Sequence, residues 1–439
     1  MDSFDRHTLV RTLPLALRHK KKVSPNPAVG CIIIKERREI ATGYHNEYGG
    51  AHAEVVAINS ARENLEGSQL YVSLEPCSHY GKTPPCADLI IKSGIKKVVI
   101  GMKDPNPVVA GRGIARLKEA GIEVEVADLP AFQEFYKIFT KNITTAYPFT
   151  TLKAAVSIDG KIADHNGESK WITNEHSRET ARKLRAANEV LITSSRTVRA
   201  DNPQLTVRDG SKPSPVRVMM SSKLFFDENL FFFQNPDGKS VIAVPEREKT
   251  ISRLNDEFDG NQKLKPGVAE DAKAAYISAN NIADTSASNA ASKPASTSAN
   301  NIADNSASKS AGTSASNTSE NIVEKLKKAG IEIIFVKSDE KNHPDADELL
   351  KELKRRGFQS VMVEAGSTLS AEFINRGLAD ELALFIAPKI IGEGNGYFTG
   401  LNAFGLNGSL QFTFSKMREL KGDIFLTLRK ESKDVHGIS

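Results

Sequence analysis

Cysteine and tryptophan are scarce in this chain: 439 residues include 3 Cys and 1 Trp. Three thiols are too few for a disulfide framework, so a stapled secreted fold is not expected and a reducing compartment is. Long apolar runs are missing as well. No stretch approaches the length a bilayer span requires, and the opening Met1-Asp-Ser-Phe-Asp-Arg carries acid where a secretion signal needs an apolar core. The expected location is the cytoplasm, with no membrane partner. Dense basic patches are nearly absent despite a net charge of +5. The single such run, Arg18 to Lys22, ends an apolar helical pattern through Leu9, Leu13 and Leu17 and reads as a solvated helix end. What is present is ample core material, 39% hydrophobic against 26% charged residues, in a chain long enough for two domains.

The pattern alternates between strand runs and helical runs. Val29 to Ile34, Gln69 to Ser73 and Lys97 to Ile100 read as buried strands, with helices at Glu54 to Arg62, Ala87 to Lys92 and Ile114 to Ala120 between them. Such alternation predicts an α/β layer structure with helices on both faces of a sheet. A further strand is expected at Ile122 to Val126 and an aromatic-rich helix at Phe132 to Thr145. The domain boundary falls near Tyr147, giving domains at 1–147 and 148–435. The second domain opens with a strand at Phe149 to Ser157 and alternates again through Ser177 to Ala187, Glu189 to Thr193, Val216 to Ser221 and Ser240 to Val244. From 267 to 320 the composition collapses to Ala, Ser, Asn and Thr, and Ser278-Ala-Asn-Asn-Ile-Ala-Asp returns at Ser298. A segment with so little apolar surface cannot offset its ordering entropy, so a disordered insert is expected within the second domain. Beyond it come helices at Ile322 to Ala329, Ala346 to Arg356 and Ser370 to Arg376, and strands at Ile331 to Val336, Ser360 to Glu364, Glu381 to Ala387 and Asp423 to Arg429.

The strongest chemical signal is His52-Ala-Glu54 followed by Pro76-Cys77 and Pro84-Pro85-Cys86. One imidazole and two thiolates suit zinc in a tetrahedral site, and three protein ligands leave the fourth position to water. The metal lowers the pKa of that water toward neutrality, and a neighbouring carboxylate is needed to move its proton. Glu54 fits that role. Two residues apart on a regular helix face different ways, so His52 and Glu54 converge only if they stand at the first turn. Cys86 follows two prolines and opens the helical run Ala87 to Lys92, where the helix dipole favours a thiolate. Each residue alone has a blander reading, as a satisfied polar side chain or a small core thiol; the combination favours zinc. Cys31, in Val29-Gly-Cys-Ile-Ile-Ile, reads as a buried strand residue.

A His-x-Glu followed by Pro-Cys and a second Cys resembles the zinc cytidine-type deaminases. The long loop Ser78 to Pro85 between the cysteines, ending Gly81-x-Thr83-Pro-Pro-Cys86, resembles the riboflavin-pathway deaminases within that class, as do Ser24-Pro-Asn-Pro-x-Val-Gly30, Gly49-Gly-Ala-His-Ala-Glu54 and Asp104-Pro-Asn-Pro-x-Val-x-Gly-Arg-Gly113. His45 and His79 lie near the motif but are not ligands in that pattern. A nucleic-acid deaminase would use the same triad, yet few basic residues surround His52 to Cys86, and no nucleic-acid partner is expected.

The second domain has no Gly-x-Gly-x-x-Gly after its first strand, so a Rossmann dinucleotide site is not supported. Leu152-Lys-Ala-Ala-Val-Ser-Ile-Asp-Gly-Lys161 instead resembles the opening of a dihydrofolate-reductase-like domain. Gly167-Glu-Ser-Lys-Trp-Ile-Thr173, Leu184-Arg185, Thr193-Ser-Ser-x-Thr197, Ala200-Asp-Asn-Pro-x-Leu-Thr206 and Val363-Glu-Ala-Gly-Ser-Thr-Leu369 are similar to the reductase half of the bifunctional riboflavin enzymes. The resemblance implies an α/β protein with an N-terminal cytidine-deaminase-like three-layer domain followed by a dihydrofolate-reductase-like domain. It implies zinc on His52, Cys77 and Cys86 with Glu54 as the catalytic carboxylate. It implies NADPH against Ala155, Trp171, Thr197, Asp201, Ser222, Gly366, Ser367, Thr368 and Leu369, and substrate against Ser169, Arg185, Leu205, Arg208 and Glu364. Backbone N–H groups after Glu364 suit a cofactor phosphate, and Arg185 and Arg208 suit the substrate phosphate. The implied partner is a small phosphorylated pyrimidine, and the implied assembly a homo-oligomer. Where the family has an acid before the cofactor serine, this chain has Ser221, followed by Ser222.

Overall fold

The computed structural model describes residues 1–20, 22–78, 84–208, 213–234, 239–246, 320–402 and 405–430. The insert expected at 267–320 lies outside them, save for Glu320, which opens a helix. The chain divides into two compact units: Met1–Thr150 with Leu350–Val361, and Thr151–Leu349 with Met362–Ser439.

The first unit is built on a five-stranded sheet in the order β2-β1-β3-β4-β5, with β1 at Gly30–Lys35, β2 at Arg38–Tyr44, β3 at Gln69–Val72, β4 at Lys97–Ile100 and β5 at Glu123–Val126. Strand β1 runs antiparallel to β2 and β3, whereas β3, β4 and β5 are mutually parallel. Alternate residues of the central strands point to opposite faces, and two cores follow. Cys31, Ile33, Leu70, Val72, Val98 and Ile100 pack on one face with Ala53, Ala57, Ala87, Ile90 and Leu117. These come from helices α3 (Ala53–Ser60), α4 (Cys86–Lys92) and α5 (Arg112–Glu119). Ile32, Ile34, Tyr71 and Val99 pack on the other face with Leu9, Phe132 and Tyr136, from α1 (Ser3–Val10) and α6 (Pro130–Thr144). The expected three layers are therefore present, and Cys31 is fully buried on β1.

Two local features differ from expectation. The N-terminal apolar pattern forms two helices, α1 and α2 (Thr12–Leu17), with Pro14 in the first turn of the second, where its missing N–H is tolerated. Strand β2 was not expected. It lies at the sheet edge, its outer half is exposed, and such a strand carries little apolar periodicity to read.

The second unit carries a nine-stranded sheet in the order β11-β10-β9-β8-β12-β6-β13-β16-β15 and a small β14-β7 ribbon. Its strands are β6 (Phe149–Ser157), β7 (Lys161–Asp164), β8 (Val190–Ser194), β9 (Val216–Met220), β10 (Ser240–Pro245), β11 (Ile331–Val336), β12 (Ser360–Val363), β13 (Glu381–Ala387), β14 (Gly394–Gly396), β15 (Phe412–Leu420) and β16 (Asp423–Lys430). The parallel members are largely buried and rich in apolar residues, as sheets covered on both faces favour, though Lys153, Arg217 and Glu332 interrupt them. Helices α7 (Glu175–Ala187), α8 (Ser195–Asp201), α9 (Phe231–Gln234), α10 (Glu320–Lys328), α11 (Ala346–Arg355) and α12 (Ser367–Asn375) connect them. Helix α12 begins three residues before its expected start at Ser370, because Gly366 serves as its N-cap.

Candidate active sites

In the first unit, His52 is the N-cap of α3 and Glu54 stands in its first turn, so both side chains reach one point, as the spacing requires. The helix lies hard on β2: a Cβ at Gly43 would meet the Ala53 carbonyl oxygen at 2.1 Å. Cys77 follows β3, and Cys86 is the first residue of α4. The His52 imidazole and the two thiols have donor atoms within 4.8 Å of one another. His52 Nδ1 lies 3.3 Å from Cys86 Sγ and 3.6 Å from Cys77 Sγ. One nitrogen and two sulfurs at this separation fit zinc, and no carboxylate belongs to the trio.

The helix start also reaches the second thiol. The Cys86 backbone N–H donates to Cys77 Sγ at 3.3 Å. Hydrogen bonds from Cys86 and His52 bring the Cys77 thiol down against the cost of burial. The Cys86 thiol is pushed up by its hydrogen bond to Cys77 and by burial. Glu54 is 3% exposed. Burial raises its carboxyl to about 7, with the Cys77 charge adding to the rise and His52 opposing it. A carboxyl poised near neutrality suits a group that must take and return a proton.

A cleft of about 430 Å³ opens in front of this cluster, lined by Asn26, His45, Glu54, Glu75, Asp104 and Asn106 among others. His45 is 4% exposed and its ring centroid is 5.4 Å from that of His52, but it is not one of the three converging donors. His79 lies outside the described residues. Glu75 was not legible as a functional residue; its only signal is a buried acid between an apolar strand and Pro76-Cys77.

In the second unit a cavity of about 600 Å³ gathers ten of the fourteen residues assigned there from the sequence: Ala155, Ser169, Trp171, Arg185, Thr197, Asp201, Leu205, Arg208, Glu364 and Gly366. Ser222, Ser367, Thr368 and Leu369 are not in its lining. Leu369 is buried, while Ser222 and Ser367 are half-buried and Thr368 is exposed. Ser169 donates to Asp201 at 3.1 Å. Gly366 caps α12 without a side-chain cap bond, leaving the helix start suited to an anion.

The cavity's charge is paired internally. Glu364 accepts from Arg185 Nε at 2.6 Å and from its Nη2 at 2.8 Å, with Lys153 Nζ at 3.4 Å. Burial pushes the Glu364 carboxyl up, but Arg185 and Lys153 outweigh it and hold it down to about 2. Arg185 thus meets Glu364 and the Thr206 carbonyl first, while Arg208 is exposed. The segment from Asp201 to Arg208 holds three left-handed residues, Asn202, Leu205 and Arg208. Beneath it, the fully buried Arg217 donates to the carbonyls of Gln204 (3.0 Å), Phe231 (3.2 Å) and Phe232 (3.3 Å) and to Ser240 Oγ (2.7 Å). Neither Lys153 nor Arg217 was expected from the sequence. A buried arginine on β9 is the one trace either leaves there.

The family model described as the cytidine and deoxycytidylate deaminase zinc-binding region matches residues 5–102, and that of the RibD C-terminal domain matches 148–269 and 282–426. The chain is 35% identical over 428 residues to the riboflavin biosynthesis protein RibD of Bacillus amyloliquefaciens, with 96% of this chain and 95% of that protein covered. It is 32% identical to the RibD protein of Escherichia coli (97% and 99% covered). A solved diaminohydroxyphosphoribosylaminopyrimidine deaminase/5-amino-6-(5-phosphoribosylamino)uracil reductase from Thermotoga maritima has a TM-score of 0.68 at 30% identity, with 98% of this chain and 99% of that one covered.

Proposed function

The chain belongs to the RibD family of riboflavin biosynthesis proteins and is a bifunctional deaminase and reductase, and from that premise we propose how its residues divide the work. Residues 1–147 form the zinc deaminase domain and 148–435 the NADPH-dependent reductase domain. The substrate of the first is diaminohydroxyphosphoribosylaminopyrimidine and that of the second 5-amino-6-(5-phosphoribosylamino)uracil, the compounds named for the Thermotoga maritima deaminase/reductase. The observation that carries the reading is the convergence of His52, Cys77 and Cys86 with the buried Glu54 at the head of one cleft.

His52, Cys77 and Cys86 would hold zinc, which would supply Lewis-acid activation of a water. Glu54 is placed to take one proton from the attacking water and pass it to the ring nitrogen, and then to take the remaining hydroxyl proton as the carbonyl forms and pass that one to the departing amine, which leaves as ammonia. Its burial keeps bulk water from competing for the proton. In the second unit Arg208 and Arg185 hold the substrate phosphate, with Glu364 fixing the plane of the Arg185 guanidinium. Thr197, Asp201 and the α12 start around Gly366 would cradle NADPH, which would supply the hydride that, together with a proton, reduces the ribosyl group to a ribityl chain. The cavity's volume and the α12 start, whose Gly366 cap brings no side chain to its N–H groups, suit such a cofactor. Ser222 and residues 367–369 meet it outside the present lining. No helix among the described residues is long and apolar enough to cross a membrane. From the family we infer a cytoplasmic homo-oligomer.

In the zinc-loaded enzyme given the diaminopyrimidine and NADPH, ammonia release precedes NADPH loss. Replacing Glu54 by Gln lowers ammonia release by roughly 10²–10⁴-fold while zinc content holds. Undiminished release from that variant removes Glu54 from its role.

A further inference from the structure

The segment from Asp104 to Gly113 neither binds the metal nor moves a proton, yet Asp104, Asn106 and Val109 line the cleft in front of the metal ligands. Glu75 holds it there. The Glu75 side chain is buried, 4% exposed, and its carboxylate accepts four backbone N–H groups of this segment. Oε2 receives Asp104 at 3.1 Å and Gly111 at 3.0 Å; Oε1 receives Gly113 at 3.0 Å and Ile114 at 3.2 Å. Hydrogen bonds to a buried anion are among the stronger kind, and each of these donors would be orphaned without it.

The backbone of the segment is shaped for that embrace. Gly111 adopts φ of 80°, in the left-handed region that glycine alone enters freely. At Gly113 a Cβ would lie 2.0 Å from the Pro76 carbonyl oxygen, so the segment presses on the very backbone that leads into the ligand Cys77. Between its two held ends the segment is braced internally. Asp104 Oδ1 accepts from Asn106 N at 2.8 Å, and Asn106 Oδ1 from Val108 N at 3.0 Å.

We propose that Glu75 is a positioning residue for deamination: it fixes the 104–114 wall of the cleft relative to the metal ligands, and so governs how well the pyrimidine is held rather than how fast it reacts once held. The proposal rests on the reading of this cleft as the deamination site. An amide in place of the carboxylate turns one acceptor into a donor facing two N–H groups, which releases one end of the wall.

The test uses the full zinc-loaded chain. In Glu75→Gln, KM for the diaminopyrimidine rises roughly tenfold or more while kcat stays within roughly threefold, zinc content is unchanged, and NADPH turnover on the deaminated substrate is unaffected. Gly113→Ala leaves Glu75 intact and displaces the wall against Pro76; it gives the same split, and it carries the test if Glu75→Gln does not fold. A wild-type KM in both variants overturns the proposal. So does loss of zinc along with activity, which would make Glu75 a support of the metal ligands instead. No ammonia from the wild-type enzyme would overturn the cleft's own reading, apart from Glu75.

Discussion

Glu54 and Glu364 are the same residue, both buried, and the protein drives them in opposite directions. Glu54 rises to about 7 because burial, aided by the Cys77 charge, outweighs the opposing pull of His52. Glu364 falls to about 2 because Arg185 and Lys153 outweigh a comparable burial. The first environment produces a carboxyl that exchanges protons near neutrality; the second produces a permanent charge that holds other groups in place. The difference separates the two halves of the molecule. One site gathers three candidate metal ligands beside a carboxyl near neutrality, the other a paired ionic frame around a cavity.

The sharpest way to break that contrast is to remove a ligand from the first half and ask whether the second notices. Cys77→Ser should lose zinc on dialysis and drop ammonia release toward the uncatalysed rate, roughly 10⁶-fold. NADPH turnover on the deaminated substrate should persist. Simultaneous loss of both activities would show that the halves are not chemically separate. The corresponding lesion in the second half is structural. Glu364→Gln leaves the buried Arg185 without its anion, which should cost about 3–5 kcal/mol, read as a lower melting point of the reductase half with zinc content and ammonia release retained. A melting point near that of wild type would mean that Arg185 finds another partner, and the ionic frame would lose its central member.

The contrast also explains what could be read beforehand. His52, Cys77 and Cys86 were legible because few residue types bind zinc and each sits at a helix start or a proline. The three layers of the first unit were legible because alternate residues of β1, β3 and β4 feed separate cores. Glu75 and Arg217 escaped for a shared reason. Each satisfies backbone groups, a carboxylate collecting N–H donors and a guanidinium collecting carbonyls, and backbone partners leave no letter to recognise. Lys153 meets Glu364 across 211 positions of sequence, a separation over which no local pattern carries information. The helix start was read as favouring a thiolate on Cys86; that its N–H also reaches Cys77 was not legible, because the direction of one donor is a three-dimensional fact.

Acid should separate the halves by a smaller amount. The Glu364 carboxyl lies at about 2 in the folded chain against an ordinary value of 4.5. Its contribution to stability is therefore complete above pH 4.5 and is lost as the pH falls toward 2. Two and a half pH units correspond to about 3 kcal/mol at full loss. Thermal melts of the reductase half between pH 5 and pH 2 should decline in wild type, and the decline should be shallower in Glu364→Gln, which has no charge left to lose. Parallel slopes would place the acid sensitivity on other carboxyls.

The smallest effect concerns Trp171, which tests whether the second site depends on one group as the first does. It lines the reductase cavity yet is 64% exposed, with the Arg178 guanidinium 4.4 Å from its ring centroid. An exposed cation–π pair contributes about 0.5–1 kcal/mol, so Trp171→Ala should barely move the melting point. If the free face of the indole stacks on NADPH, the same change should weaken NADPH binding by roughly tenfold, with Trp171→Phe falling between. Calorimetric titration of NADPH into the three proteins decides this without turnover. Equal affinities would leave Trp171 as a cover on Arg178 and return cofactor recognition to the backbone around Gly366. That outcome would widen the contrast, since the reductase site would then bind through its frame with no single side chain standing where Glu54 stands in the other half.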